Sequence, residues 1–369
     1  MNQFNNVKII MVGDFMWPWY QDVAAENLSL LGFTVIKFGW INDFWDFNKK
    51  SIEPKFKSIF HKFQYRFQFG PIIYFIRRRL LKIINEENPN VIFCYNVTLF
   101  SDRYIKQIKK KYPYVILCQY ANDNPFSNSA KFFYWKNFQN SIKYFDLHYV
   151  FRNSDIEKFR NRGANKIKLL RAYFIPEREF PIDYSLIPDK FKCDVVFAGH
   201  YENDGRVKYL EEICRAGYKL NIFGGGWDLA LQFLEKESPL RRMFPINPVI
   251  GIEYQYAICG AKVALCFLST LNKDTYTTRS FQIPAMKTAM LSQFTEDLAN
   301  MFKADNEIMF FNNSDELINK LNLLVSNEIF RIKIAKNGYN SVYKNGHDIK
   351  NRMSELVNDI NLHYPQFKK

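Results

Sequence analysis

Asp194–Gly217 reads DVVFAGHYENDGRVKYLEEICRAG, and Tyr218–Asp228 continues it as YKLNIFGGGWD. The first stretch is an apolar run, a glycine, a polar loop with basic residues, and then apolar residues at helical spacing, which predicts strand, turn and helix. The second is a short apolar strand ending in Gly224, Gly225 and Gly226, where missing side chains let a backbone approach a ligand closely. A third stretch follows at Cys259–Leu298, CGAKVALCFLSTLNKDTYTTRSFQIPAMKTAMLSQFTEDL. It predicts a strand over Val263–Leu268, a polar loop, and a helix that begins near Thr278 and carries Arg279 and Gln282. Strands alternating with helices predict an α/β fold with a parallel sheet. In such sheets the C-terminal ends of strands and the N-termini of helices gather at one edge, which suits a phosphate. Arg206, Lys208 and Arg279 would add positive charge there.

Working outward, 369 residues is long for one core, so two domains are expected. Hydrophobic residues at 47% and charged residues at 24% exclude a disordered chain. The net charge of +14 fits nucleic acid, an anionic membrane face or phosphorylated substrates, and a lineage bias toward Lys, Asn, Ile and Phe would also raise it. The six cysteines are scattered with no C-x-x-C pair, which reads as buried thiols in a reducing compartment. The N-terminus has no secretory layout, and no apolar run reaches the roughly 18 residues of a membrane span. A cytoplasmic protein is expected.

The chain start, NVKIIMVGDFMWPWYQDVAAENLSLLGFTVIKFGW, repeats the strand, glycine turn, helix, strand pattern. Gly13 and Asp14 follow its first strand and should lie on the ligand edge, or serve as a plain turn and a helix cap. Residues 44–84 depart from this pattern. Lys and Arg far outnumber Asp46 and Glu53 there, and Phe56, Ile59, Phe60, Phe63 and Phe67 recur at three- and four-residue spacing. This predicts a basic amphipathic helix, broken at Gly70–Pro71 and resumed. It either packs on the sheet with a solvated basic face, docks on anionic lipid, or binds RNA. Further on, YVILCQYANDNPF ends a strand with Asn122 and Asp123. A carboxylate there can orient an acceptor hydroxyl or take its proton, or Asp123 closes an Asx turn before proline. DLHYVFRNSDIEKFRNRG reads as a strand and a Ser/Asp-capped helix, and the proline-containing residues 176–191 read as a linker.

Gly-His-loop-Arg, strand-Gly-Gly, and then R-S-F-Q-I-P-A-x5-L, in that order, resemble the C-terminal half of the group-1 glycosyltransferases of GT-B fold. The spore maturation protein B-like (CgeB-type) branch resembles it most, and its D-D-P segment is similar to Asn122-Asp123-Asn124-Pro125. The resemblance extends to the ending, where Phe311, Glu316, Leu317, His347 and Arg352 match a late helical motif. It implies two Rossmann-like domains facing each other across a cleft, with a C-terminal helix crossing back to the N-terminal domain. The boundaries it implies are residues 1–176 for an acceptor domain, 177–346 for a nucleotide-sugar donor domain, and 347–369 for the returning helix.

The activity implied is transfer of a sugar from a nucleotide donor to a saccharide or lipid-linked saccharide in bacterial surface glycan synthesis, with retention of configuration and without metal. Arg279 and Arg206 would stabilise the leaving diphosphate, and His200 would bind phosphate or meet the acceptor. Gly199, Lys208, Gly224 and Gly225 would line the donor, and Gly13, Asp14 and Asn122 the acceptor, with Asp123 as the first catalytic candidate. Where the family carries an E-x7-E pair, this sequence has Asp274 and Gln282, so the ribose would meet an uncharged amide; Glu296 is an alternative ribose partner. With no D-x-D motif, no metal cofactor is expected. Partners expected are the donor, the acceptor and an anionic membrane surface on the inner face of the cytoplasmic membrane, not nucleic acid. Gln282 and Asn122, each replacing a family acid, leave open a nucleotide-sugar-binding module without turnover, and the basic aromatic helix leaves open a nucleic-acid-binding protein.

Overall fold

The computed structural model describes residues 7–44, 55–127 and 132–364. They form two compact units, one of Met1–Arg171 with Ile349–Lys369 and the other of Ala172–Asp348. The first unit holds a six-stranded sheet of β1 (Lys8–Gly13), β2 (Thr34–Gly39), β3 (Val91–Tyr95), β4 (Ile116–Ala121), β5 (Leu147–Val150) and β6 (Ile167–Leu169). Its order is β2-β1-β3-β4-β5-β6 and every pairing is parallel. β3 and β4 are buried along their whole length, as expected of parallel strands covered on both faces.

The helices of this unit are α1 (Val23–Leu30), α2 (Ile41–Phe44), α3 (Lys55–Phe67), α4 (Pro71–Glu87), α5 (Asp102–Lys111), α6 (Phe132–Ser141) and α7 (Asn153–Asn161). Ser101 caps α5 by accepting from the Tyr104 amide at 3.3 Å, and Tyr104, Ile105 and Ile108 turn inward. The cap expected at Ser154 and Asp155 of α7 does not form. The helix starts at Asn153, and the buried Asp155 carboxylate instead pairs with Lys158 at 2.8 Å and Arg152 at 3.6 Å.

The second unit carries β7 (Cys193–Ala198), β8 (Leu220–Phe223), β9 (Ala261–Cys266), β10 (Ala289–Gln293) and β11 (Met309–Phe311), all parallel, in the order β11-β10-β9-β7-β8. Around it lie α8 (Arg206–Arg215), α9 (Ile252–Cys259), α10 (Arg279–Ala285), α11 (Glu296–Met301), α12 (Ser314–Ser326) and α13 (Glu328–Lys344). Val195, Phe197, Val263, Leu265 and Leu291 from the strands pack with Leu210, Leu317 and Leu321 from the helices. Asn313 caps α12 by accepting from the Glu316 amide, and Glu316 accepts from the Asn312 amide just before the cap. The final helix, α14 (Ile349–His363), belongs to the first unit. It packs on α1, accepts from the Tyr149 hydroxyl at the Leu356 carbonyl, 3.1 Å, and pairs Asp359 with Lys168 at 3.1 Å.

One element is arranged unlike its sequence pattern. The expected break at Gly70–Pro71 separates α3 from α4, and α4 buries Ile73, Ile76, Leu80 and Ile84 in the usual way. In α3 and the turn after it the buried side is polar, with Gln64 and Gln68 fully inside and His61 and Tyr65 half-buried. Ile59, Phe60, Phe63 and Phe67 face outward, so an apolar stripe of α3 packed on the sheet is not what forms. Tyr65 occupies the inner face against Phe44 and Tyr134, and His61 contacts the Phe44 carbonyl at 3.0 Å. Asp46, Lys49, Lys50 and Glu53 lie outside the described residues.

Candidate functional site

Each sheet reverses its order beside its first strand, and the crevice of an open α/β sheet lies at that reversal, beyond the strands' C-terminal ends. In the second unit the reversal falls between β7 and β9. The chain leaves β7 at Gly199–His200 and β9 at Phe267–Ser269. One hydrogen bond joins these two exits, and a second hydrogen bond and an ion pair hold the loop after β7. Ser269 Oγ donates to Glu202 at 2.7 Å, Trp227 Nε1 donates to the Gly199 carbonyl at 3.0 Å, and Glu202 lies 3.6 Å from Arg206.

Arg279, the first residue of α10, reaches into this place. A Cβ on Gly199 would sit 3.1 Å from its Nη1, so the glycine leaves room for the guanidinium. Arg279 lies 5.7 Å over the Phe197 ring and donates weakly to the Phe267 carbonyl at 3.4 Å, while its buried Nε has no acceptor among the described residues. Among the described residues no carboxylate pairs with it.

Arg206 is disposed differently. It is fully buried, donates to both Asp204 oxygens, through Nε at 2.7 Å, and to the His200 carbonyl. Its charge is therefore balanced within the loop, and what it shapes is the path of residues 200–206. His200 and Lys208 are exposed, and the His200 ring lies beside Gly225, 3.0 Å from where a Cβ would be.

The glycine run has an internal reason as well. At Gly224 φ is +154° and a Cβ would come within 1.9 Å of the Gly199 carbonyl oxygen, so this residue lets two loops touch. Gly224→Ala is expected to destabilise the protein by about 3 kcal/mol, whereas Gly225→Ala meets only the exposed His200 ring and should cost far less. Urea unfolding of both variants tests this.

Gln282 is held from two sides. Its Oε1 accepts from the Tyr254 hydroxyl at 2.9 Å and its Nε2 donates to Glu179 at 3.0 Å. Glu179 also accepts from the Ile175 amide. Burial pushes its carboxyl up to about 7, against the opposing effect of these donors. Neither Glu179 nor Tyr254 was singled out by the sequence reading. The Asp274 amide bonds the Ser269 carbonyl at 2.9 Å, and Glu296 is exposed behind Thr295, whose hydroxyl caps α11.

The Glu179 environment has a consequence for pH. Below the ordinary carboxylate pKa both folded and unfolded chains hold the proton. Above it the unfolded chain ionises while folded Glu179 keeps its proton to about 7. Stability contributed by this group is therefore present at low pH and lost as pH rises toward 7 and above, by about 3 kcal/mol in all. Glu179→Gln is expected to remove that part of the slope, measured as urea unfolding free energy at pH 5 and pH 8.

In the first unit the reversal lies between β1 and β3, and Gly13–Asp14 and Asn96 leave those strands. Asn122, after β4, exchanges two hydrogen bonds with Asn96: its amide donates to Asn96 Oδ1 at 3.1 Å, and Asn96 Nδ2 donates to its side chain. Asp14 accepts from the Met16 amide at 3.1 Å, and burial, with a smaller contribution from nearby Asp123, raises its carboxyl pKa. The Asx turn before Pro125 is made by Asn124, which accepts from the Phe126 amide at 2.9 Å. Asp123 is left exposed. Gly13, Asp14, Asn122 and Asp123 are thus at one edge of the first unit, and Gly199, His200, Gly224, Gly225, Arg279 and Gln282 at one edge of the second.

Residues 206–358 match the family described as glycosyl transferase-like. No curated protein sequence matches the chain. Among solved structures, sucrose-phosphate synthase from Thermosynechococcus elongatus is similar with a TM-score of 0.71 at 12% identity, over 96% of this chain and 99% of that one. Anabaena HepE in complex with UDP-glucose is similar at 0.66 and 9% identity, over 96% and 100%. Trehalose-6-phosphate synthase, studied for glycosyltransfer with retention, is similar at 0.60 and 10% identity, over 96% and 99%. The chain has the GT-B fold. Residues 206–358 thus form a glycosyl transferase-like region within that fold.

Proposed function

We propose that the protein transfers a sugar from a nucleotide donor to a saccharide or lipid-linked saccharide in bacterial surface glycan synthesis, within the CgeB-type branch. The observation that carries the donor site is Arg279, a half-buried guanidinium at the sheet reversal whose Nε has no acceptor among the described residues and which donates only weakly to the Phe267 carbonyl. A diphosphate leaving group gains charge as the glycosidic bond breaks, and a fixed cation there lowers the barrier. Gly199, His200, Gly225 and Lys208 line the same edge. In this reading Gln282, its amide oriented by Tyr254 and Glu179, meets the donor ribose. Arg206 acts by shaping its loop, and Asp274 and Glu296 are further donor contacts.

Asp123 orients the acceptor hydroxyl or takes its proton, with Gly13, Asp14 and Asn122 beside it on the acceptor side. Transfer without metal and with retention is supported by the absence of a D-x-D motif in the sequence and by the resemblance to the retaining group-1 enzymes. The basic, aromatic α3 and α4 support a lipid-linked acceptor met at the inner face of the cytoplasmic membrane.

The test is incubation with nucleotide sugars and saccharide acceptors in EDTA, followed by NMR of the product. A new glycosidic linkage of the donor's own anomeric configuration is expected. An inverted anomer removes retention, a requirement for added metal removes metal independence, and donor binding with no transfer to any acceptor favours the binding-module reading suggested by Gln282 and Asn122.

A further inference from the structure

In water a helix that carries both glutamine and phenylalanine buries the phenylalanine, because apolar burial is favourable and a buried amide costs free energy unless it is bonded. α3 and the turn that follows it do the reverse. Gln64 and Gln68 are 1% and 2% exposed, and Phe63 and Phe67 are 54% and 39% exposed. The outward aromatics are contiguous. Phe63 meets Phe67 at 4.6 Å between ring centroids, and Phe67 meets Phe133 of α6 at 5.5 Å. Phe69, Tyr74 and Phe75 extend the apolar surface around the corner into α4.

The corner is built to keep these rings outside. Gln64 Oε1 accepts from the Ile72 amide at 2.9 Å. At Gly70 φ is +132°, and a Cβ would come within 2.3 Å of Gln64 Oε1. This interlock fixes the α3–α4 turn from within, so the phenylalanines do not fold over it.

Charge selects the occupant. Between Lys55 and Asn85 there is no Asp or Glu, and Lys62, Arg66 and Arg78 are exposed among the aromatic rings. A run of this length with cations and no carboxylate attracts an anionic surface. Rings interleaved with cations suit the headgroup and acyl boundary of an anionic bilayer, where the apolar face inserts shallowly and the cations meet lipid phosphates. No described helix is long and apolar enough to cross a membrane.

We propose that the α3–α4 corner is a membrane-docking wedge that inserts Phe63, Phe67, Phe69 and Phe75 among the lipids of an anionic bilayer, with Lys62, Arg66 and Arg78 on the headgroups. This deepens the reading of a lipid-linked acceptor but needs no nucleotide, so its test is separate from that of glycosyl transfer.

The full chain is floated with vesicles of phosphatidylcholine containing about a third phosphatidylglycerol, and with phosphatidylcholine alone. Binding to the anionic vesicles is expected, at least tenfold tighter than to the neutral ones. Phe67→Ser with Phe75→Ser should weaken it about tenfold or more. Lys62→Ala with Arg66→Ala and Arg78→Ala should abolish the preference for anionic lipid. All five side chains are exposed, so folding should survive, and circular dichroism confirms it. No binding to anionic vesicles overturns the proposal, as does binding that neither set of changes weakens. A dimer that dissociates on the phenylalanine changes would assign the wedge to a second copy of the chain. A tight, strongly salt-dependent complex with RNA in place of vesicles would assign it to nucleic acid.

Discussion

Asp123→Asn is expected to lower kcat by about 10³-fold while leaving the affinity for the nucleotide donor unchanged. The substitution keeps the shape and removes only the charge. Asp123 is exposed after β4, and the turn beside it is made by Asn124, so the change should not disturb the fold. A carboxylate held this way is available to an incoming hydroxyl. Steady-state kinetics with a saturating donor measure the loss, and the rise in Tm that the donor produces serves as the control. If kcat is unchanged, Asp123 is a surface residue and the acceptor chemistry lies elsewhere.

Arg279→Ala is expected to lower kcat/KM by roughly 10² to 10³-fold and to remove the stabilisation that a nucleoside diphosphate gives. The physical case is the state of its guanidinium, whose Nε has no acceptor among the described residues and which makes a long bond to the Phe267 carbonyl. Removing it leaves no buried carboxylate unpaired, so the loss should appear in binding and turnover rather than in stability. Arg279→Lys should recover part of the effect, since an ammonium supplies charge but not the forked geometry. Arg206→Ala is the contrasting control. It strands the buried Asp204 carboxylate, so its principal expected result is a less stable protein.

The fold was legible because both sheets are parallel and covered, which makes each strand a nearly continuous apolar run with a glycine or polar turn behind it. Within the candidate site, the positions of Gly199, Gly224 and Arg279 were legible for the same reason, as they sit at strand exits and a helix start. Glu179 was hidden. It lies in a proline-containing connector, 103 residues from the Gln282 it bonds, and no local pattern links the two. The balance of Arg206 by Asp204 and Glu202 was closer to hand, since both acids lie within four residues before it. α3 shows the opposite limit. The spacing of its phenylalanines identified an amphipathic helix, but which face turns inward depends on Phe44 and Tyr134, whose rings pack against Tyr65, and on the lock between Gln64 and the Gly70 corner.

The central claim is that the edge around Gly199 and Arg279 binds a nucleotide sugar. The most direct measurement is a thermal-shift panel of nucleoside diphosphates and nucleotide sugars, run in EDTA on the wild-type chain. Stabilisation should grow with the logarithm of ligand excess over its dissociation constant. A rise in Tm confined to one base, and larger with its sugar attached, is the result expected, and it would identify the donor. A folded protein whose Tm moves with none of them would contradict the account.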